Sequence, residues 1–303
     1  MKVLVKKMKN YLKLIRVKHW FKNILVFLPL FFSMNLFNRD YLLLTTLAFF
    51  IFCITSSIVY VINDISDVEK DRKHEIKKHR PLASGAISIK SAYFLIIFLL
   101  IVNIALIFLQ SIIYKSVNNN ISVIGISIPI IYLILNILYS KWLKNVPIID
   151  VVILVSGFLL RVVYGGVIIN VEISKWLYLM VIFGAFYLGF GKRRNEIIKN
   201  GDSSRKVLKY YNKEFLDKNM YVALGLAIVS YSLWTVDTLT ITRLNSEYLF
   251  WTIPIIMIIF QLYSLDIERD SHGDPIEVVF SDKVLLATIL LYIIIIIILV
   301  YVI

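Results

Sequence analysis

The chain has 303 residues, 59% of them hydrophobic, and a formal net charge of +13. Soluble domains average about 45–50% apolar residues even with glycine counted. The excess excludes an ordinary soluble enzyme, a disordered tail and a small disulfide-held scaffold. Cys53 is the single cysteine, so no intrachain disulfide forms, and its apolar surroundings mark it as a packing residue.

In residues 1–19, Leu4, Met8, Tyr11, Leu12 and Ile15 recur at helical spacing between lysines. That is the pattern of an amphipathic helix lying on an anionic leaflet. The basic stretch is too long for a signal peptide and no small-residue cleavage site follows it, so no processing is expected. Nine stretches are then long and apolar enough to cross a bilayer: 20–37, 41–62, 91–114, 121–139, 149–170, 174–191, 220–240, 247–265 and 282–303. The first is interrupted by Pro29 and entered through Lys22 and Asn23. Nothing shows the short alternating segments of a β-barrel. The expected fold is an all-α, polytopic membrane protein in one domain, 1–303, of about nine spans.

Of the 33 Lys and Arg residues, 28 fall in the N-terminal segment and in alternate connections around 63–90, 140–148, 192–219 and 266–283. Arg39, Lys115, Lys175 and Arg243 occupy the opposite set, and Arg161 lies within a span. The positive-inside rule places the rich side, including the N-terminus, in the cytoplasm of a cell whose plasma membrane holds the protein. The two large inner loops, 63–90 and 192–219, are the candidate active-site loops.

Asp64, Asp67 and Asp71 are spaced three and four apart and share one helical face, with Asn63 at its edge. Carboxylates brought together this way need a cation, and an oxygen-only set favours Mg²⁺, which shares its shell with waters and substrate phosphates. The alternative is a solvated acidic–basic helix surface with weak i,i+4 pairs. Lys77 and Arg80, the latter set by Pro81, suit phosphate, since a planar guanidinium matches it. His74 and His79 are weaker candidates for acid–base work.

These residues, N-D-x-x-D-x-x-x-D at 63–71 and K-x-x-R-P-x-x-S-G at 77–85, resemble the UbiA superfamily of intramembrane prenyltransferases. The resemblance implies a helical bundle open to lipid that binds a Mg²⁺–diphosphate donor. It gives Asp64, Asp67 and Asp71 the metal and the catalytic role. Aromatic prenyltransferases of that superfamily carry a second Asp-rich motif between spans six and seven. Here Lys192, Arg193 and Arg194 stand there instead, and Asp202 and Asp217 are isolated. Part of that charge is a topology signal, but a basic triplet at a span end also suits a substrate with several phosphates.

R-x-K-x-W-x-K-N at 16–23, Y-S at 139–140, V-P-x-I-D at 146–150, S-G-F-x-x-R at 156–161, G-K-R at 191–193 and G-D-P-x-E at 273–277 resemble the polyprenyl-phosphate phosphoribosyltransferase branch. The implied reaction joins 5-phosphoribose from phosphoribosyl diphosphate to a polyprenyl monophosphate, in a pathway such as cell-wall glycan synthesis. Aromatic prenyl transfer, for a quinone or haem side chain, is the alternative, and a lipid or solute transporter is a more distant one. Expected phosphate ligands are Lys22, Lys77, Arg80, Lys192 and Arg193, with Asn23 and Asn63 bonding the donor or its metal shell.

Tyr60, Tyr139 and Tyr187 read either as cavity hydroxyls or as packing and interfacial tyrosines. Arg161 either has a polar partner on another helix or lines the cavity, since a charge inside a span requires one or the other. The 273–277 segment reads as a loop cap or as a further metal contact. The expected partners are the two phosphorylated substrates and the membrane, with no nucleic acid, and homo-oligomerisation stays open.

Overall fold

The computed structural model describes residues 2–73, 75, 77–118, 122–200, 206–268 and 275–302. His74, Asp202, Asp270 and the Gly273–Asp274 step lie outside the described residues. Among the described residues there are helices and turns but no strand. Seven helical stretches are long and apolar enough to cross a membrane: Arg39–Ser66, Ile89–Asn118, Val123–Lys141, Ile149–Ile168, Lys213–Val236, Tyr248–Glu268 and Lys283–Tyr301. The protein is a multi-pass α-helical membrane protein. The stretch expected at 174–191 lies within a further helix, Lys175–Asn200, whose last third is charged.

The stretch expected at 20–37 is not one helix. The chain runs as α1 (Lys2–Leu14), a 3₁₀ segment Val17–Phe27, and a five-residue α2 (Leu28–Phe32). Pro29 has no N–H to continue a helical ladder, and Asn23 turns wholly inward, donating to Cys53 Sγ at 3.1 Å and Ser56 Oγ at 3.5 Å. The 3₁₀ segment starts from Arg16 in the left-handed region, φ 52°. Trp20 Nε1 donates to Ser57 Oγ at 3.0 Å, and that hydroxyl donates to the Ile15 carbonyl at 2.9 Å. The N-terminal segment is therefore fixed along α3 (Arg39–Ser66), whose own start is capped by Asn38 accepting from Asp40 and Tyr41 N–H groups.

The chain forms two compact units. Unit 1 comprises 1–28, 38–141 and 163–170; unit 2 comprises 29–37, 142–162 and 171–303. In unit 1, α3 leads through the short α4 (Val68–Arg72) to α5 (Ile89–Asn118) and α6 (Val123–Lys141). α5 exposes Phe94, Ile97, Phe98, Ile101, Ile104 and Phe108 at helical spacing, a lipid-facing stripe. Its inner side bonds α3: Asn103 donates to Thr55 at 2.9 Å and Gln110 to the Leu44 carbonyl at 3.0 Å, while Tyr164 donates to Gln110 at 2.7 Å. Polar side chains in apolar surroundings hold helices together in this way.

Unit 2 contains most of α7 (Ile149–Ile168), then α8 (Lys175–Asn200), α9 (Lys213–Val236), α10 (Thr238–Leu244), α11 (Ile253–Glu268), α12 (Pro275–Ser281) and α13 (Lys283–Tyr301). Its core includes Val151, Tyr187, Leu216, Met220, Tyr263 and Leu285. A Cβ at Gly189 would meet Val151 Cγ1 at 2.8 Å, so glycine lets α8 approach α7 closely here.

Candidate active site

The Asp-rich sequence falls where α3 ends. Asp67 leaves the helix at φ −100°, ψ 6°, and its N–H bonds back to the Asn63 carbonyl at 2.9 Å. α4 then begins, with the Asp71 N–H bonding the Asp67 carbonyl at 2.8 Å. This break turns Asp64 and Asp71 into the same buried space, 3% and 4% exposed. Arg80 Nη1 donates to Asp71 Oδ2 at 2.7 Å and to Asp64 Oδ1 at 3.2 Å, and Arg16 Nη2 reaches the same Asp64 oxygen at 2.7 Å. Two buried carboxylates are thus neutralised by two partly exposed guanidiniums, the arrangement burial demands. Tyr60 lies under Arg16, 4.7 Å from guanidinium carbon to ring centroid, and His19 packs against the same ring at 5.5 Å.

Asn63 Oδ1 accepts from Ser140 Oγ at the end of α6. Asp67 is half-buried beside this group. Lys77, Lys22 and Tyr139 are half-buried residues of the same unit, each with interactions of its own.

Among the described residues no three His, Cys, Asp or Glu side chains assemble as a metal site. The donors present still suit a hard divalent cation. Asp64 and Asp71 are both oxygen ligands, and a single cationic nitrogen already sits between them. Mg²⁺ commonly uses only one or two carboxylates and completes its shell with water and phosphate oxygens.

The other expected site residues lie in unit 2. Arg193 is completely buried: Nε donates to Asp150 Oδ2 at 2.5 Å and Nη1 to Glu196 Oε2 at 2.8 Å. Tyr211 donates to the second Asp150 oxygen at 2.6 Å while accepting the Ile148 N–H at 2.6 Å. Burial, first, and the bond to Asp150 push the Tyr211 hydroxyl well above the ordinary tyrosine pKa, so it stays a donor. Ile148 has φ 66°, a strained value for a β-branched residue. Arg194 pairs with Asp217 at 2.5 Å and donates to the Ile267 carbonyl at 3.3 Å.

The guanidinium is fully buried and held by two carboxylates. Arg193 ties α8 to α7 through Asp150. Lys192, next to it, is half-buried with interactions of its own. Arg161 is 5% exposed, donates to the Gly157 carbonyl one turn back and lies 6.0 Å from the Phe158 ring. Tyr187 is fully buried and shares a hydrogen bond with Ser264 at 2.6 Å. Asn23, likewise fully buried, directs its amide N–H groups to α3.

Sequence reasoning gave no role to Arg16, Ser140, Asp150 or Tyr211. Arg16 opens the R-x-K-x-W-x-K-N run and Ser140 closes the Y-S pair, so both were visible as motif members. Tyr211 carried no signal, because its partners are 61 and 63 residues away.

The chain is a membrane-embedded enzyme with an Asp-rich helix end clamped by arginines. The chain belongs to the UbiA prenyltransferase family, whose sequence model matches residues 24–279. It is similar to the decaprenyl-phosphate phosphoribosyltransferase of Corynebacterium glutamicum, 32% identical over 90% of this chain and 81% of that protein. It is also similar to the enzyme of the same name from Mycolicibacterium smegmatis, 28% identical over 90% of this chain and 87% of that one. A UbiA homologue from Archaeoglobus fulgidus, solved bound to GPP and Mg²⁺, shares the fold. Its TM-score is 0.66 at 18% identity, covering 93% of this chain and 97% of that one.

Proposed function

We propose that the protein transfers 5-phosphoribose from phosphoribosyl diphosphate to a polyprenyl monophosphate, releasing diphosphate, with Mg²⁺ as cofactor. The observation that carries this reading is the pair Asp64 and Asp71, buried and joined through Arg80, at the end of a membrane-spanning helix. The names of the relatives in Corynebacterium glutamicum and Mycolicibacterium smegmatis support the choice of substrates.

The acceptor phosphate oxygen forms a bond to ribose C1 as the bond from C1 to the diphosphate breaks, through a state with oxocarbenium character. A phosphate monoester is already anionic near neutral pH, so the chain need not supply a strong base. Asp64 and Asp71, with Asp67, would hold Mg²⁺, which when bound neutralises charge on the leaving diphosphate. Arg16 and Arg80 orient the donor phosphates by paired N–H bonds. Lys22 and Lys77 reduce the repulsion between two anionic substrates. Asn63, fixed by Ser140, positions an amide beside Asp64.

Aromatic prenyl transfer would call for a second Asp-rich clamp. Among the described residues of 192–219, Glu196, Asp217 and Glu214 are instead tied to Arg193, Arg194 and Lys218. The test is transfer of label from phosphoribosyl diphosphate into a lipid extract by membranes containing the protein, polyprenyl phosphate and Mg²⁺. No transfer beside an active control overturns the reading.

A further inference from the structure

We infer that unit 2 carries a second ligand site, far from Arg193, for the phosphate headgroup of a membrane lipid. A cavity of about 240 Å³ lies between the first turn of α8, the end of α9, α10 and the Pro29–Ser33 turn. Lys175 at this end of α8 and Arg193 at the other are separated by 18 residues. At 1.5 Å per residue that is about 27 Å, close to the thickness of a hydrocarbon core. The cavity therefore lies well away from the Arg193 cluster along α8.

Its lining is rich in unspent donors. Trp234 is 3% exposed, lines the cavity, and its indole N–H bonds no group among the described residues. It is not one of the polar atoms sealed away without a partner, so it faces open space. Its ring packs edge-on against Phe32 at 4.9 Å, which fixes its direction. The Lys175 ammonium makes no ion pair or hydrogen bond among the described residues. Arg243 commits Nη1 to the Glu172 carbonyl at 2.8 Å and keeps its other N–H groups.

Two carboxylates, Glu172 and Asp237, line the cavity beside the two cations. Asp237 Oδ2 accepts from the Thr240 N–H at 3.1 Å and hydroxyl at 3.0 Å, so it is spent on capping α10. Glu172 is exposed to solvent. An indole N–H, an ammonium and a guanidinium around one space match an anion with several oxygens, and phosphate fits that description.

The size and surroundings favour a lipid as the source of that phosphate. Pockets that enclose a whole organic ligand run to about 300–1,000 Å³, so this one holds a headgroup and leaves the rest outside. Leu239, at the cavity edge, is 75% exposed, and Leu233 and Val236 are exposed on the adjoining end of α9. An apolar tail has a surface to lie on there. Two tryptophans, Trp176 and Trp234, line the same space, as is usual at a membrane interface.

Native mass spectrometry of the full chain in detergent, titrated with short-chain phosphatidic acid, tests this. The wild type is compared with Trp234→Phe, which keeps the ring and removes the N–H, and with Lys175→Gln/Arg243→Gln. Parallel titrations use neutral diacylglycerol and inorganic phosphate. The wild type is expected to hold one more phosphatidic acid than the double variant. Trp234→Phe should bind that molecule about tenfold more weakly with unchanged phosphoribosyl transfer. Equal lipid counts in all three proteins overturn the site. Binding of diacylglycerol or inorganic phosphate as tight as that of phosphatidic acid overturns its assignment to a lipid phosphate.

Discussion

Arg16 and Asp64, 48 residues apart in sequence, meet at 2.7 Å, the arginine 24% exposed and the carboxylate 4%. The contact joins the left-handed turn that ends the N-terminal amphipathic helix to the helix end that carries the Asp-rich sequence. The N-terminal segment is thus tied directly to the Asp-rich helix end.

Removing Arg16 leaves Asp64, among the described residues, with Arg80 as its ion-pair partner. Arg16→Ala should raise the KM for phosphoribosyl diphosphate at least tenfold, and it should cost about 1 kcal/mol of stability because the arginine is partly exposed. Arg16→Lys restores the charge without the planar fork, so its KM should fall between the two. Steady-state kinetics on the purified protein measure this. An unchanged KM in Arg16→Ala removes the residue from the donor site.

The two buried carboxylates should separate metal binding from folding. Asp64→Asn and Asp71→Asn are expected to lower transfer at least 100-fold while the protein stays monodisperse in detergent. Mn²⁺ used as a paramagnetic stand-in should bind at least tenfold more weakly to either variant. Asp67→Asn should also abolish transfer. Wild-type Mn²⁺ affinity in Asp64→Asn would remove that residue from the metal site.

Arg193 and Asp150 should behave as a coupled structural pair. Breaking one side of a fully buried ion pair costs about 3–5 kcal/mol, whereas replacing both partners costs far less. Arg193→Met and Asp150→Asn should each lower the melting temperature sharply, and the double variant should recover part of the loss. A double-mutant cycle in thermal unfolding measures the coupling. Additive losses, together with a raised KM for an anionic substrate, would return Arg193 to phosphate binding.

Tyr211→Phe removes both the bond that holds Asp150 and the acceptor for the strained Ile148 N–H, an expected loss of about 1–3 kcal/mol. The folded-state pKa of Tyr211 is raised, so its contribution is complete below the unfolded value of about 10 and fades as pH climbs above it. The wild type and Tyr211→Phe should therefore differ most in melting temperature below pH 10 and converge above it. A difference that grows above pH 10 contradicts the assignment.

The sequence carried the helical class, most of the spans and the carboxylate face, because apolar length and three–four spacing are local properties. Pro29 signalled trouble in the first apolar stretch, but not that the chain becomes a 3₁₀ segment folded onto α3, since that depends on Asn23 finding Cys53 and Ser56. The charge pattern at 192–194 was read as a unit. The fold treats its members separately: Arg193 pairs with Asp150 from 43 residues away, Arg194 with Asp217 from 23. Burial decided these roles, and burial is set by long-range packing at points such as Gly189 against Val151.

The most direct test offers the purified protein in lipid nanodiscs two complete reactions side by side. One contains labelled phosphoribosyl diphosphate with polyprenyl phosphate, the other labelled geranylgeranyl diphosphate with an aromatic acid, both with Mg²⁺. The account predicts lipid-linked phosphoribose in the first, lost on chelation of the metal and in Asp64→Asn, and no prenylated aromatic product in the second. Prenylated product without phosphoribosyl transfer would contradict it.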